Sequence, residues 1–339
     1  MPDSLTPRPP VSVVVPTYHE AENLPQLIDR LDRVRREHNL TLELLIMDDN
    51  SRDGTEELVA ARNEPWVRLV VRTANRGLSP SVVDGLMLAQ NDFVLVMDAD
   101  LSHPPEKIPE MLDALSGGAD FVIGSRYAPG GSTDAEWGVF RWLNSKVATL
   151  LARPLTSVKD PMSGFFALRR ERYQDAWLNA VGYKIGLELL VKCHCEKVAE
   201  VPIHFTDRKL GQSKLSLREQ LRYLQHLRRL FMFKYGDVAH LSQFLIVGAS
   251  GTILNLVIFT LLLWMGAGEH ASVAIAIIVS MGSNFALNRR FSFSYARRGS
   301  VWKQFLGFVG SSSANGLTPT FPPLDKRPLV SSRAFWRLP

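Results

Sequence analysis

The chain alternates short, unbroken apolar runs with longer stretches of helical spacing. The runs are VSVVVP at Val11, LELLIMDD at Leu42, VRLVVR at Val67 and DFVLVMDAD at Asp92, and a fifth follows at ADFVIGSR. Apolar runs of this length without polar alternation predict strands buried on both faces, the pattern of a parallel sheet with crossover helices. Between the first two, ENLPQLIDRLDRVRREH sets Leu24, Leu27, Ile28 and Leu31 three and four residues apart, which predicts a helix with one apolar face turned to that sheet. The expected fold class is α/β, a mostly parallel sheet with flanking helices.

The pattern changes after Asp237. From Leu241 to Asn288 the one formal charge is Glu269, beside His270. The run 242–267 is long enough to cross ~30 Å of hydrocarbon at ~1.5 Å per residue, and a second run, 271–288, turns back after GEH. Ahead of this pair, Leu217, Leu221, Leu224, Leu227 and Phe231 form a helical stripe with Arg218, Arg222 and Arg229 beside it. A basic amphipathic helix of that kind belongs in the lipid interface. Trp137 to Leu155 is a second candidate, its tryptophans suited to the headgroup zone. A third apolar run starts after Trp302 but passes into LTPTFPPLDKRPLVSSRAFWRLP, rich in proline and charge, so little order is expected from about Gly316.

Charge refines this picture. The net charge of +5 is concentrated around the apolar segment: eight basic residues between Arg208 and Lys234 face one acid, Glu219, and five between Arg289 and Lys303 face none. No nucleic-acid reading module accompanies them, so membrane phosphate is the better partner and no nucleic acid is expected. Basic residues flank both outer ends of the apolar pair, placing those ends, and the N-terminal part with them, on the cytoplasmic side. No basic-then-apolar signal segment occupies the first 30 residues. The two cysteines, Cys193 and Cys195, flank His194 in a predicted helix and are read as ordinary reduced thiols.

The predicted strand ends carry the candidate chemistry: PTYHE, DDNS, ANRG and DADLSH. Ligands of open α/β sheets bind at the carboxyl ends of strands. Any one of these segments could be a plain turn, since Asp, Asn, Ser and Gly are turn formers. Together they bring Asp48, Asp49, Asp98 and Asp100 to one edge, where repulsion is costly unless a cation or a donor-rich ligand sits among them. An Asp-X-Asp ending a strand sends alternate side chains the same way, so Asp98 and Asp100 can share magnesium or manganese, which would bridge a diphosphate leaving group. No GxxxxGK[ST] loop or GxGxxG turn is present, which excludes those two nucleotide-binding devices.

In order, VSVVVPTYHEAENL, LLIMDDNSRDGT, NRGL, DADLSHPPE, FVIGSRY, DPMSGFF and RKLGQSK resemble the motifs of family 2 glycosyltransferases of GT-A (Rossmann-like) fold, and more narrowly of polyprenol-phosphate mannose synthases. The resemblance covers about Val11 to Tyr235. It implies Pro16, Tyr18, Glu20 and Asp48 as nucleotide-sugar contacts, with Asp98 and Asp100. It makes Asp98 and Asp100 the metal pair and Ser102 a further metal candidate, standing where relatives often carry glutamine. On the acceptor side it implies Arg126, Arg141, Ser145, Arg208 and Lys214 as phosphate ligands, with Asp100 and Arg126 central to catalysis and Asp160 and Ser163 supporting the pocket. The hairpin with NFALNRRFSF resembles the start of a GtrA-like membrane domain.

The activity implied by the resemblance is metal-dependent transfer of mannose from GDP-mannose to dolichyl or polyprenyl phosphate, with inversion. A lipid monophosphate, with a second pKa near ~6, attacks without a general base. The alternatives are a UDP-sugar donor with undecaprenyl phosphate, a nucleotidyltransferase using the same acids, and a non-enzymatic lipid-linked sugar flippase or membrane anchor module. The expected organisation is a catalytic domain over 1–207, interfacial helices over 208–240, a membrane domain over 241–315 and an irregular tail over 316–339.

Overall fold

The computed structural model describes residues 8–134, 139–176, 178, 183–206, 217–289 and 300–313. The chain forms two compact units, 1–236 and 237–339. In the first, chain order runs β1 (Val11–Thr17), α1 (Leu24–Glu37), β2 (Leu42–Asp48), α2 (Thr55–Arg62), β3 (Val67–Val71), α3 (Leu78–Leu88), β4 (Phe93–Val96) and α4 (Ile108–Ser116). It continues with β5 (Phe121–Ser125), β6 (Ser132–Thr133), α5 (Val139–Ala152), β7 (Phe166–Arg169), α6 (Arg170–Tyr173), α7 (Ile185–Lys192), β8 (Val198–Pro202), β9 (His204–Phe205) and α8 (Leu217–Tyr235).

Seven strands make one sheet in the order β3-β2-β1-β4-β7-β5-β8, and β6 with β9 makes a small parallel ribbon. The five runs read from the sequence are all strands of the sheet. Its two faces are both covered, which is why the strands carry no polar alternation. Val11, Val13 and Val15 of β1 pack with the α1 residues Leu24, Leu27, Ile28 and Leu31 and with Ile108, Met111 and Leu112 of α4. Val14, on the opposite face, packs with Val82 and Leu86 of α3 and Leu189 of α7. Each fully buried aliphatic side chain contributes about 1.5–3 kcal/mol, so these two layers hold the sheet edge rigid.

Two strands of the large sheet were not expected. β7 runs antiparallel between β4 and β5, and β8 lies parallel to β5 at the far edge. Because β7 reverses direction against both neighbours, β5 points the same way as β4, and their carboxyl ends reach the same edge. The chain moves outward from β1 through β2 to β3, then returns to β4 on the other side of β1. That switch point opens a crevice at the carboxyl ends of β1 and β4. The predicted helix through CHC ends earlier, at Lys192. Cys193 caps it and His194 takes a left-handed φ of 49°. Burial pushes both thiols up to about 12, so they stay protonated and inert.

α8 lies with its inner face on α5 and α7, where Leu227 and Leu230 join Ala152, Leu155, Met162 and Leu187. The Tyr223 hydroxyl donates to the Ala148 carbonyl at 2.7 Å and the Lys234 ammonium to that of Leu155 at 2.7 Å. Leu221, Leu224 and Phe233 stay exposed on α8, as do Leu143, Val147, Leu150 and Leu151 on α5. Only part of the stripe read from the sequence is therefore packed within the unit.

The second unit contains α9 (Asp237–Trp264), α10 (Glu269–Leu287) and α11 (Val301–Ser313). α9 and α10, with 28 and 19 residues, are long and apolar enough to cross a membrane, whereas α11 has 13. Gly251 of α9 lies against the Asn284 carboxamide, where a methyl group would collide, and Asn255 Nδ2 donates to Ser280 Oγ at 3.4 Å. Close approach at small residues with a polar cross-link is how helices associate in hydrocarbon. The expected tail over 316–339 lies outside the described residues.

Candidate active site

The parallel register pairs Pro16 with Met47 and Thr17 with Asp48, so the β1 and β2 ends are level. Asp48 is buried and held by its own turn: it accepts from the Ser51 amide at 2.9 Å, from the Ser51 hydroxyl and from the Thr17 hydroxyl at 3.3 Å. Tyr18 is exposed, with the Arg76 guanidinium 5.0 Å from its ring centroid. Glu20 accepts from Asn23 Nδ2 at 2.7 Å and its carbonyl starts α1. Asp53 ties the first two loops together, accepting from the Ala21 amide at 3.2 Å and the Thr55 hydroxyl at 2.7 Å. Burial raises its pKa, but these bonds outweigh that and hold it below the usual carboxylate value.

Asp49 departs from the expectation that the edge acids need a cation or a donor-rich ligand among them. It pairs with buried Arg72 and accepts from the Gly77 amide at 2.6 Å, while Arg72 also reaches Asp84 and donates to the Asn75 carbonyl at 3.0 Å. Gly77 has a φ of 137°, open only to glycine at low cost. This knot gives the NRGL loop its shape and presents Arg76 to Tyr18.

The Asp98–Asp100 pair lies past the end of β4, in a turn rather than in the strand. Their side chains therefore differ in setting instead of sharing one strand face. Asp98 keeps 26% of its side chain exposed, whereas Asp100 is buried. Leu101 adopts a φ of 63°, a conformation that costs a branched residue about 1–3 kcal/mol. The turn it makes brings the Ser102 amide (3.1 Å) and the Ser102 hydroxyl back to Asp100 Oδ1. Thus Ser102 touches the acid itself. His103, fully buried, accepts from the Asp98 amide through Nδ1 at 3.1 Å and stacks on Phe165 at 5.3 Å. Burial lowers its pKa despite the nearby Asp98 and Asp100, so the ring is neutral. Gly164 faces the pair: a Cβ there would sit 3.1 Å from Asp98 Oδ2 and 3.4 Å from His103 Cε1.

Arg126 leaves the end of β5 at the same edge. Asp160, with no exposed surface, grips it at three points: the backbone amide at 3.0 Å, Nε at 2.8 Å and Nη2 at 2.8 Å. Burial lowers the guanidinium pKa, but the Asp160 bonds more than restore it, and the net shift is upward. Phe205 and Tyr127 lie against it at 5.3 and 5.4 Å. Ser145 on α5 accepts from the Tyr127 hydroxyl at 2.8 Å. Ser163 donates to the Gly124 carbonyl at 2.7 Å, fixing the DPMSGFF loop under β5. The Thr206 amide donates to the Ser102 carbonyl at 3.3 Å, which ties the end of β9 to the acid loop. Arg141 belongs to α5, but its side chain, like Arg208 and Lys214, lies outside the described residues.

The structure therefore gathers Pro16, Tyr18, Glu20, Asp48, Asp98, Asp100, Ser102, Arg126 and Ser145 at the carboxyl edge. Sequence reasoning passed over Tyr127, His103, Phe205 and the Asp49–Arg72 pair. Tyr127 and His103 adjoin motif residues, and that adjacency was the available signal.

Residues 12–177 match the model of glycosyl transferase family 2, and residues 243–321 that of the GtrA/DPMS transmembrane domain. The dolichol-phosphate mannosyltransferase of Pyrococcus furiosus is 39% identical over 303 residues, spanning 88% of this chain and 85% of the relative. The chain belongs to glycosyl transferase family 2. The dolichol-phosphate mannosyltransferases of Mycosarcoma maydis and Saccharomyces cerevisiae are 45% and 42% identical, over 68% and 66% of this chain and 82% and 88% of theirs. Among solved structures, glucosyl-3-phosphoglycerate synthase of Mycobacterium tuberculosis with Mn2+ and UDP aligns with a TM-score of 0.51 at 20% identity, over 67% of this chain and 80% of that one. Mannosyl-3-phosphoglycerate synthase of Rubrobacter xylanophilus aligns with 0.52 at 19%, over 68% and 75%. The expected GT-A-type fold is borne out, as are membership of family 2 and the GtrA-like membrane domain.

Proposed function

We propose that this chain transfers mannose from GDP-mannose to dolichyl or polyprenyl phosphate at the cytoplasmic face of a membrane, giving polyprenyl-phosphate mannose with inversion. The observation that carries this reading is the meeting, at one sheet edge, of an acid pair with a clamped arginine, in a chain whose relatives carry that activity in their names. α9 and α10 would cross the bilayer as a hairpin, and the basic residues at their outer ends support a cytoplasmic catalytic unit. The exposed apolar residues of α5 and α8 suit the lipid interface.

The acid pair fits a hard divalent cation. Its donors are two carboxylates on one loop, and Gly164 leaves the space that Asp98 fills. Among the described residues no three His, Cys, Asp or Glu side chains could hold an ion alone, so Asp98 and Asp100 would hold it together with diphosphate oxygens and water. When bound, Mg2+ or Mn2+ supplies charge neutralisation to the leaving nucleoside diphosphate. Ser102, bonded to Asp100, orients that carboxylate.

The rest is positioning by the protein. Pro16, Tyr18, Glu20 and Asp48 line the nucleotide side, and the Asp48 turn keeps its shape through Ser51 and Thr17. Arg126, Arg141, Ser145, Arg208 and Lys214 would receive the lipid phosphate. Its oxygen is already ionised near neutral pH, so no side chain has to remove a proton. The task is to hold two anions close, and arginine and lysine screen their repulsion while Asp160 fixes the arginine plane.

The test incubates membranes carrying the protein with polyprenyl phosphate and labelled GDP-mannose or UDP-glucose, with and without chelator. Label from GDP-mannose should enter organic solvent, and both EDTA and Asp100→Ala should stop it. Label from UDP-glucose alone would give the donor to the UDP-sugar reading, and chelator-resistant transfer would remove the metal from it.

A further inference from the structure

Resting on that reading of the acceptor, we infer that Tyr127 is a positioning residue for the lipid phosphate: its hydroxyl sets Ser145 and its ring seats the cations of Arg126 and Lys146, bringing Lys146 into the phosphate-binding set. Three observations converge on this one side chain. The Tyr127 hydroxyl donates to Ser145 Oγ at 2.8 Å. The Lys146 ammonium stands 3.8 Å from the ring centroid, contact distance for a cation on a π face. The Arg126 guanidinium stands 5.4 Å from the same centroid.

The ring is itself held in place. Ser125, fully buried at the end of β5, accepts from the amides of Tyr127 and Ala128 at 3.3 and 3.0 Å, which turns the chain sharply after the strand. Tyr127 therefore spans from a rigid strand end to α5, linking Arg126, fixed by Asp160, to Ser145 and Lys146 on the helix. A tyrosine needed for packing alone would bury its ring and leave its hydroxyl to water. Tyr127 is half-buried and spends both the hydroxyl and the π system on polar groups.

The arrangement suits a phosphate monoester. A Ser145 hydroxyl that accepts from Tyr127 has its own proton to give, the sense an anion requires. A lysine brings three rotatable donors as a point charge, at the cost of a mobile stem. Seating the ammonium on the ring removes much of that freedom before the lipid arrives, and a preorganised donor binds more tightly.

The experiment measures steady-state transfer with detergent-solubilised full-length protein and geranyl phosphate, together with equilibrium binding of labelled geranyl phosphate. Tyr127→Leu should raise the KM for geranyl phosphate about tenfold, with kcat and the KM for GDP-mannose changed by less than about twofold. Tyr127→Phe, which keeps the ring and loses the Ser145 bond, should raise it about threefold. Lys146→Ala, at an exposed position, should match Tyr127→Leu, and Lys146→Arg should restore most of the affinity. Adding Lys146→Ala to Tyr127→Leu should weaken binding only about threefold further, well short of the tenfold of independent effects, because the ring acts through the lysine while the Ser145 bond is lost only in Tyr127→Leu. An unchanged KM in Lys146→Ala, a kcat loss without a KM change in Tyr127→Leu, or full multiplication in the double variant overturns the inference. Binding of geranyl phosphate without transfer by the unaltered protein overturns the transferase reading alone, and absence of binding overturns both.

Discussion

Removing the Asp160 carboxylate measures how strongly the proposed acceptor side is built. In Asp160→Ala the Arg126 guanidinium, with 10% of its side chain exposed, loses both of its bidentate bonds, and the Arg126 amide loses a third. Stranding one partner of a buried ion pair costs about 3–5 kcal/mol. For a unit of this size each kcal/mol moves the melting temperature by about 2–4 °C, so the expected drop is roughly 10 °C. Arg126→Ala should cost a similar amount, since it strands a carboxylate with no exposed surface. The double variant should therefore be more stable than the summed single effects by about 1–3 kcal/mol. Tryptophan fluorescence during thermal and denaturant unfolding of the detergent-purified protein reads all three. A drop below about 3 °C in Asp160→Ala, or simple additivity in the double variant, would refute the reasoning, for the clamp would then be a solvated pair of little consequence.

Two further outcomes rest on the geometry. Gly164→Ala places a methyl 3.1 Å from Asp98 Oδ2, so the carboxylate must shift by a few tenths of an ångström. The Mn2+ concentration for half-maximal transfer should rise about tenfold, and an unchanged titration would show that Asp98 is not a ligand. His226 is buried between α7 and α8, facing Glu188 and Lys192 from α7 with Arg229 on its own helix, and burial holds its pKa below 6.5 against the pull of Glu188. The unfolded chain binds that proton first, so stability should be fullest above about pH 6.5 and fall as the pH drops below it. Melting at pH 7.5 and 5.5 should show a loss that His226→Leu reduces. His103, also buried and lowered, contributes in the same direction, and an equal loss in the variant would exclude His226.

The elements with strong periodicity were legible in the sequence. The four-residue FALR of β7 is too short for any period to show, and VAEVP of β8 carries a glutamate in its middle that masks the strand. The acid pair was legible as chemistry but not as geometry, because strand alternation stops at Val96 and the left-handed Leu101 sets the path of the chain beyond it. Arg126 stood out as a motif residue. Its partner is 34 residues away, beyond β6 and α5, and no local pattern joins two such positions. Asp49 illustrates the opposite case: counted among repelling acids, it is neutralised by Arg72, which the sequence offers only as the last residue of an apolar run.

The reversed strand β7 has a consequence for how this enzyme could diverge. It stands as a partition in the sheet, with the segments proposed to shape the nucleotide pocket on one flank and those proposed to shape the lipid-headgroup pocket on the other. Each flank is drawn almost wholly from its own contiguous stretch of chain, before and after Ala119. A lineage, or a chimaera, can thus trade one specificity while inheriting the other intact, provided that the partition keeps its pairing on both sides.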